Sequence, residues 1–257
     1  MRQTKILTSI LILMTIFGHA SAITYGEPDG NRHPNVGALI SPHGFTFLAY
    51  CSGVLIAPKV FLTAAHCGHA PDKHPVKVTF DSEITSRNSQ MVVEGTFIAH
   101  PEYPGKGNNS FDIAIVLFET EQNAPVAQLP APGEFDRLKL ENRDQQFTAV
   151  GYGLEEAIPS PGGITYNVPN ARRVSTPSLV AVNKVWLTLL QNPATGDSGT
   201  CFGDSGAPNF VGPEAAPTDV VAAITITGDA ICRATNVVFR LDTPMARNFL
   251  QNYVALP

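Results

Sequence analysis

The chain has 257 residues, 44% of them hydrophobic, and a formal charge of −5 at pH 7. A mildly acidic chain without a basic cluster is a poor nucleic-acid binder, so no nucleic-acid partner is expected. Beyond residue 22 no segment is long and apolar enough to cross a membrane as a helix.

Residues 1–22 read as a secretory signal peptide. Arg2 and Lys5 give a basic start, Ile6 to Phe17 is almost wholly apolar, and Ala20-Ser21-Ala22 offers small residues at a cleavage site. The apolar run is about a dozen residues, short of the roughly 20 that span a bilayer. The protein is therefore expected to be secreted and extracellular, free of the membrane after cleavage, with a mature chain starting at Ile23. That length suits one large all-β domain or two small lobes around a shared cleft.

Short β-rich runs recur between turn signals. Val36 to Ile40, Phe45 to Leu48, Gly53 to Ile56, Val76 to Phe80, Met91 to Ala99 and Ile113 to Phe118 read as strands. A Pro-rich stretch, Ala124 to Gly133, reads as a linker between two β halves. Gln146 to Tyr152, Val185 to Leu190, Val220 to Thr227 and Val237 to Leu241 continue the strand pattern, and Glu155 to Pro169 reads as an exposed loop. Thr243 caps a predicted helix with Pro244 in its first turn; Met245, Phe249, Leu250, Tyr253 and Val254 recur at helical spacing, so this helix should pack on the core. The whole is an all-β pattern rather than a βαβ one.

Cys51, Cys67, Cys201 and Cys232 make an even set, which in an exported chain points to two disulfides with three possible pairings. His66-Cys67-Gly68-His69 is rich in metal-ligand types, but no CxxC pair accompanies it, and no metal or other cofactor is expected. His33, His43, His69, His74 and His100 read as surface or loop residues.

Three segments carry chemistry. In Gly203-Asp204-Ser205-Gly206-Ala207-Pro208, glycines beside a serine permit a sharp turn that presents backbone N–H donors. A serine hydroxyl is a poor nucleophile and needs an adjacent base, a group to orient that base, and donors for the oxyanion. Leu62-Thr63-Ala64-Ala65-His66-Cys67 supplies a histidine, the usual base near neutrality. Asp112 opens the apolar strand Ile113 to Phe118 and supplies a carboxylate. Singly, each has a bland explanation: a turn, a surface histidine, a strand-start aspartate.

Together, in the order His, Asp, Ser, these segments resemble the signatures of the chymotrypsin-like (trypsin-like) serine protease family. The resemblance covers essentially the whole mature chain. It extends to Ala149-Val150-Gly151-Tyr152-Gly153, to Thr225-Ile226-Thr227, which is similar to the strand along bound substrate, and to Asn236-Val237-Val238-Phe239-Arg240-Leu241, which is similar to the strand closing the specificity pocket. It implies an all-β fold of two antiparallel six-stranded barrels around a catalytic cleft, at about residues 23–123 and 134–242, with a C-terminal helix at about 243–255. It implies disulfides Cys51–Cys67 and Cys201–Cys232.

It further implies a monomeric serine endopeptidase acting on polypeptide substrates, and a target for protein protease inhibitors. His66 takes the proton of Ser205, Asp112 orients His66, and the N–H groups of Gly203 and Ser205 form the oxyanion hole. After activation the Ile23 ammonium pairs with Asp204; signal cleavage after Ala22 would expose Ile23 directly. Gly199 stands at the pocket floor, where an aspartate would select Lys or Arg, followed by Thr200, with Thr225, Thr227 and Asn236 along the walls. Cleavage after small or medium neutral residues is therefore expected. Asp197 and Asp229 are the nearby carboxylates that would change this.

Thr225 stands where a serine usually bonds the triad aspartate and its hydroxyl is expected to do the same, and Ala207 replaces a glycine. Asp72, Asp81 and Glu83 form an acidic loop of the kind that binds calcium in some relatives, and Asn108-Asn109-Ser110 is a glycosylation sequon. The other readings are a catalytically silent homologue serving as a binding or regulatory module, an esterase with the same triad, and a structural secreted β-protein.

Overall fold

The computed structural model describes residues 26–41, 48–68, 73–85, 91–105, 110–138, 145–155 and 157–257. The leader, Ile23, His43, Phe45 to Phe47, His69, Asp72 and Asn108-Asn109 lie outside the described residues.

Six strands close the first barrel: β2 (Val36–Ser41), β3 (Leu48–Ala57), β4 (Val60–Thr63), β5 (His74–Thr79), β6 (Val92–Ala99) and β7 (Ala114–Phe118). They run antiparallel in the order β2-β3-β4-β7-β6-β5, and β5 pairs back onto β2. The run Val60 to Thr63 had no strand assigned to it from sequence, because it follows β3 with only a tight turn between them. Inside, Phe61 meets Phe80 edge-on at 5.7 Å and Phe118 at 6.3 Å. Such pairs add about 0.5–1.5 kcal/mol beyond burial.

The second half is one eight-stranded sheet, in the order β1-β11-β8-β14-β15-β16-β13-β12. Its strands are β1 (Glu27–Pro28), β8 (Phe147–Gly151), β11 (Arg173–Ser175), β12 (Ser178–Val182), β13 (Trp186–Leu190), β14 (Pro208–Val211), β15 (Val221–Gly228) and β16 (Thr235–Arg240). The sheet curls until Gln146, at the start of β8, bridges Ser178, at the start of β12. β11 and β12 are separated only by Thr176-Pro177, so one chain segment runs from beside the β1 edge to the β12 edge. The result is the expected two-barrel architecture, with the second barrel closed by a bridge rather than a full ladder.

The segment read as a loop at Glu155 to Pro169 contains a hairpin, β9 (Ala157–Ser160) with β10 (Gly163–Tyr166). Pro161-Gly162 forms its two-residue turn, and Pro159 is tolerated because the hairpin is a separate two-stranded sheet. The C-terminal helix α1 spans Pro244–Leu250, shorter than expected: residues 251–253 form a turn. The Thr243 hydroxyl caps it by accepting the Ala246 N–H at 3.3 Å, and Ala246, Phe249 and Leu250 are buried. Among the described residues no helix is long and apolar enough to cross a membrane.

The linker Ala124 to Gly133 is pinned to both halves. Ala127 N–H donates to Leu55 O on β3, and Gln128 bridges Val220 beside β15. One buried apolar cluster runs from Val36, Leu62 and Ile115 in the first barrel to Val150, Val221 and Phe239 in the second. A shared core of this kind holds the two halves as one body, which is what a site built between them needs.

Candidate active site

β4 delivers the chain into a short 3-10 turn, Ala65–Cys67, which carries His66. Cys67 is bonded to Cys51 on β3, so the turn is fastened covalently to the barrel wall. Just before β7, Phe111 takes φ +60°, in the left-handed region; a bulky residue there is strained by about 1–3 kcal/mol. The turn aims the Asp112 carboxylate inward, where it is 1% exposed. Its Oδ1 accepts the His66 N–H at 2.9 Å, and its Oδ2 lies 2.8 Å from His66 Nδ1. An ionised carboxylate is acceptor-only, so Nδ1 carries the proton and Nε2 is left as the base.

The turn that carries Ser205 is held from three sides. Asp204 N–H donates to Cys201 O at 3.0 Å and Ala207 N–H to Asp204 O at 2.8 Å. Gly203 adopts φ +99°, which glycine reaches without steric cost. From the first barrel, Ser52 N–H donates to Ser205 O at 2.8 Å and Ser52 Oγ to Gly203 O at 3.0 Å. From the second, Gly206 N–H donates to Thr225 O at 2.7 Å and Leu154 N–H to Phe202 O at 2.8 Å. Among the described residues neither the Gly203 nor the Ser205 N–H donates to a protein acceptor, the condition for stabilising a developing oxyanion.

His66 and Ser205 share one cleft of about 470 Å³ with Thr200, Thr225 and Thr227 on its walls. The site-facing edge of β15 opens beyond Thr225: β14 pairs with β15 as far as Ile224, Thr225 bonds Gly206 and Ala207, and β16 covers the other edge to Gly228. Gly199 and Asn236, expected at the floor and wall, do not line the cleft. The Asn236 side chain is fully buried, and its Nδ2 donates to Thr225 Oγ1 at 3.4 Å. Asn209 Nδ2 donates to the same hydroxyl at 3.1 Å. Thr225 thus turns its oxygen toward two amides instead of toward Asp112. Asp229 does line the cleft, whereas Asp197 is buried away from it and accepts from Thr195 Oγ1 at 2.6 Å.

The Asp229 carboxyl is held below its ordinary range: burial acts to raise it, but the N–H groups of Thr235, Arg233 and Ala234 and the Gln191 amide outweigh burial. Asp204 behaves oppositely. It is fully buried, and burial pushes it up to about 7, only partly offset by the Cys201 and Gly153 N–H groups at 2.9 and 2.7 Å. Among the described residues no cation pairs with it.

Several groups around the site had no sequence signal. Ser52 acts through a bond to Gly203, 151 residues on, and Gln191 through bonds to Thr200 and to Asp229, 9 and 38 residues on. Two histidines expected at the surface are packed. His100 is 7% exposed against Phe111 and Phe249, and His33 stacks on Phe210 while meeting Asp29.

A family model described as Trypsin matches residues 27–246. A trypsin of Saccharopolyspora erythraea is 33% identical over 199 residues, covering 72% of this chain and 81% of that protein. Snake venom serine protease 1 of Craspedocephalus gramineus is 26% identical over 221 residues, 79% of each chain. CLIP domain-containing serine protease B15 of Anopheles gambiae is 28% identical over 177 residues, 62% of this chain and 49% of that protein. Fold, site and likeness together define a serine-type endopeptidase, a hydrolase acting on polypeptides. The chain belongs to the trypsin family.

Proposed function

We propose that the protein is exported by its 1–22 leader and cleaves peptide bonds as a monomer through an acyl-enzyme on Ser205. The observation that carries this is the His66–Asp112 pair at 2.8 Å opening onto the same cleft as Ser205. His66 Nε2 accepts the Ser205 proton as Oγ attacks the carbonyl, and later gives it to the leaving amine. Asp112 holds the tautomer and stabilises the imidazolium. The Gly203 and Ser205 N–H groups receive the oxyanion. The open edge of β15 would take the substrate as an added strand, and protein protease inhibitors would occupy the same groove. Turnover of a peptide amide at rates comparable with a simple ester tests the peptidase reading; ester turnover alone would favour an esterase.

The Ile23 amine is the cation we assign to Asp204. With its pKa raised from 3.8 to about 7, Asp204 binds its proton more tightly in the fold than in the unfolded chain. Without a partner, its contribution to stability is full below about pH 4 and is lost as pH rises to about 7, a change of about 4 kcal/mol. An inserted ammonium removes that loss. A chain carrying one extra residue before Ile23 is therefore expected to lose stability between pH 4 and 7, relative to its Asp204→Asn variant, and to be poorly active. The chain beginning at Ile23 should show neither defect. Equal activity of both chains would refute the pairing.

A further inference from the structure

Gln191 lies one residue beyond β13 and is 1% exposed. Its backbone N–H donates to Ala234 O at 3.1 Å. Its side-chain Oε1 accepts the Thr200 N–H at 2.9 Å, and its Nε2 donates to Asp229 Oδ1 at 3.3 Å. Thr200 and Asp229 both line the cleft that holds His66 and Ser205. Gln191 therefore links two cleft walls from behind, and the Cys201–Cys232 disulfide links the segments that follow them.

A Cβ placed on Gly199 would overlap the Gln191 Cβ and Oε1. The space that a side chain at 199 would take is thus already filled, by a residue eight positions earlier in the chain. Asp229 keeps its charge at the cleft wall, but its oxygens are fixed in place. Its Oδ1 also accepts the Ala234 and Thr235 N–H groups at 2.8 and 2.7 Å, and its Oδ2 accepts that of Arg233 at 3.0 Å. These bonds from neutral donors hold the carboxylate in its own loop without removing its charge.

We infer, resting on the peptidase reading above, that Gln191 determines specificity by closing the inner end of the pocket, so that the residue accepted on the acyl side of the scissile bond is small: alanine, serine, threonine or valine. A longer side chain has to displace Gln191, which strips the buried Thr200 N–H of its acceptor and breaks the bond to Asp229. The glutamine sets a size limit where a charged floor would set a charge preference.

The test is kcat/KM for a set of peptides differing only at that residue. Wild type, Gln191→Ala and Gln191→Met are compared, each normalised to sites titrated with a fluorophosphonate. Wild type should favour alanine and threonine over leucine, phenylalanine, lysine and arginine by at least about tenfold, the scale on which one methylene is discriminated. Gln191→Ala should raise the phenylalanine-to-alanine ratio about tenfold or more. Gln191→Met, which fills the same space without the amide, should keep the preference for small residues. A merely structural role would lower all peptides alike and leave the ratio unchanged, which overturns the proposal. So does a wild-type preference for a large or basic residue, whether or not the variants fold. Wild type that is titrated by the probe but cleaves none of the peptides removes the peptidase reading itself, a distinct result.

Discussion

Asp112→Asn should lower kcat about 10⁴-fold with little change in KM, the loss established for this exchange in the chymotrypsin-type triad. The cause is readable in the hydrogen bonds. Asp112 uses both oxygens, one for the His66 backbone N–H at 2.9 Å and one for Nδ1 at 2.8 Å. An asparagine has one oxygen. With that oxygen on the backbone N–H, its NH₂ faces Nδ1, which must then become the acceptor. The ring proton moves to Nε2, and the base facing Ser205 is lost. Folding should be nearly unaffected, because the amide still satisfies the buried position. Rates on a peptide amide and a thermal melt check both halves; a loss of less than tenfold would mean that the pair is not catalytic.

The second large effect concerns stability. Arg172 is fully buried, and its Nε donates to Asp29 Oδ2 at 2.7 Å. Its Nη1 donates to Val36 O, Phe80 O and Tyr152 Oη, and its Nη2 to Gly30 O and Asn31 Oδ1, all within 3.0–3.2 Å. One side chain thus joins the N-terminal segment to both barrels, close to where the chain runs back toward Ile23. Arg172→Met should cost about 3–5 kcal/mol at pH 7, because Asp29 is left buried with only His33. Asp29→Leu combined with Arg172→Met should recover the part of that loss that comes from the unpaired Asp29 charge, while the Val36, Phe80 and Gly30 carbonyls still lose their Arg172 donors.

The pH dependence has a definite sign. Burial acts to raise the Asp29 pKa, but the bonds from His33 and Arg172 outweigh it and bring it down to about 2. The stability that the pair contributes is present above about pH 4 and lost as pH falls toward 2. The deficit of Arg172→Met should therefore shrink in acid. Denaturant midpoints at about pH 7, above that window, and about pH 2, at its lower end, read this directly. A deficit that is small at pH 7, or that grows in acid, would rule out the ion pair as its source.

What the sequence displayed follows from the range of the interactions involved. The three groups proposed as the triad could be picked out in the sequence because each sits in a compact local context: a glycine-flanked serine, a histidine next to a cysteine, an aspartate opening an apolar strand. The helix start at Thr243-Pro244 was legible for the same reason, since a cap is an interaction over three residues. The pocket was not. Gln191 closes it through a strand end that composition gives no reason to associate with Gly199, and Thr225 loses its expected role to amides from two other strands. Ser52 supports the nucleophile turn from 151 residues away in the chain. Asp29 and Arg172, 143 residues apart, give no local signal at all. Strands such as β11 and β14 are short or begin with proline, and only tertiary pairing makes them strands.

The most direct test of the central claim, an activated Ser205, is covalent labelling of the chain beginning at Ile23 by a fluorophosphonate, with Ser205→Ala as control. Stoichiometric labelling of the wild type that disappears in Ser205→Ala is the predicted result. Absence of labelling in folded protein would contradict the account and leave the fold serving as a binding module.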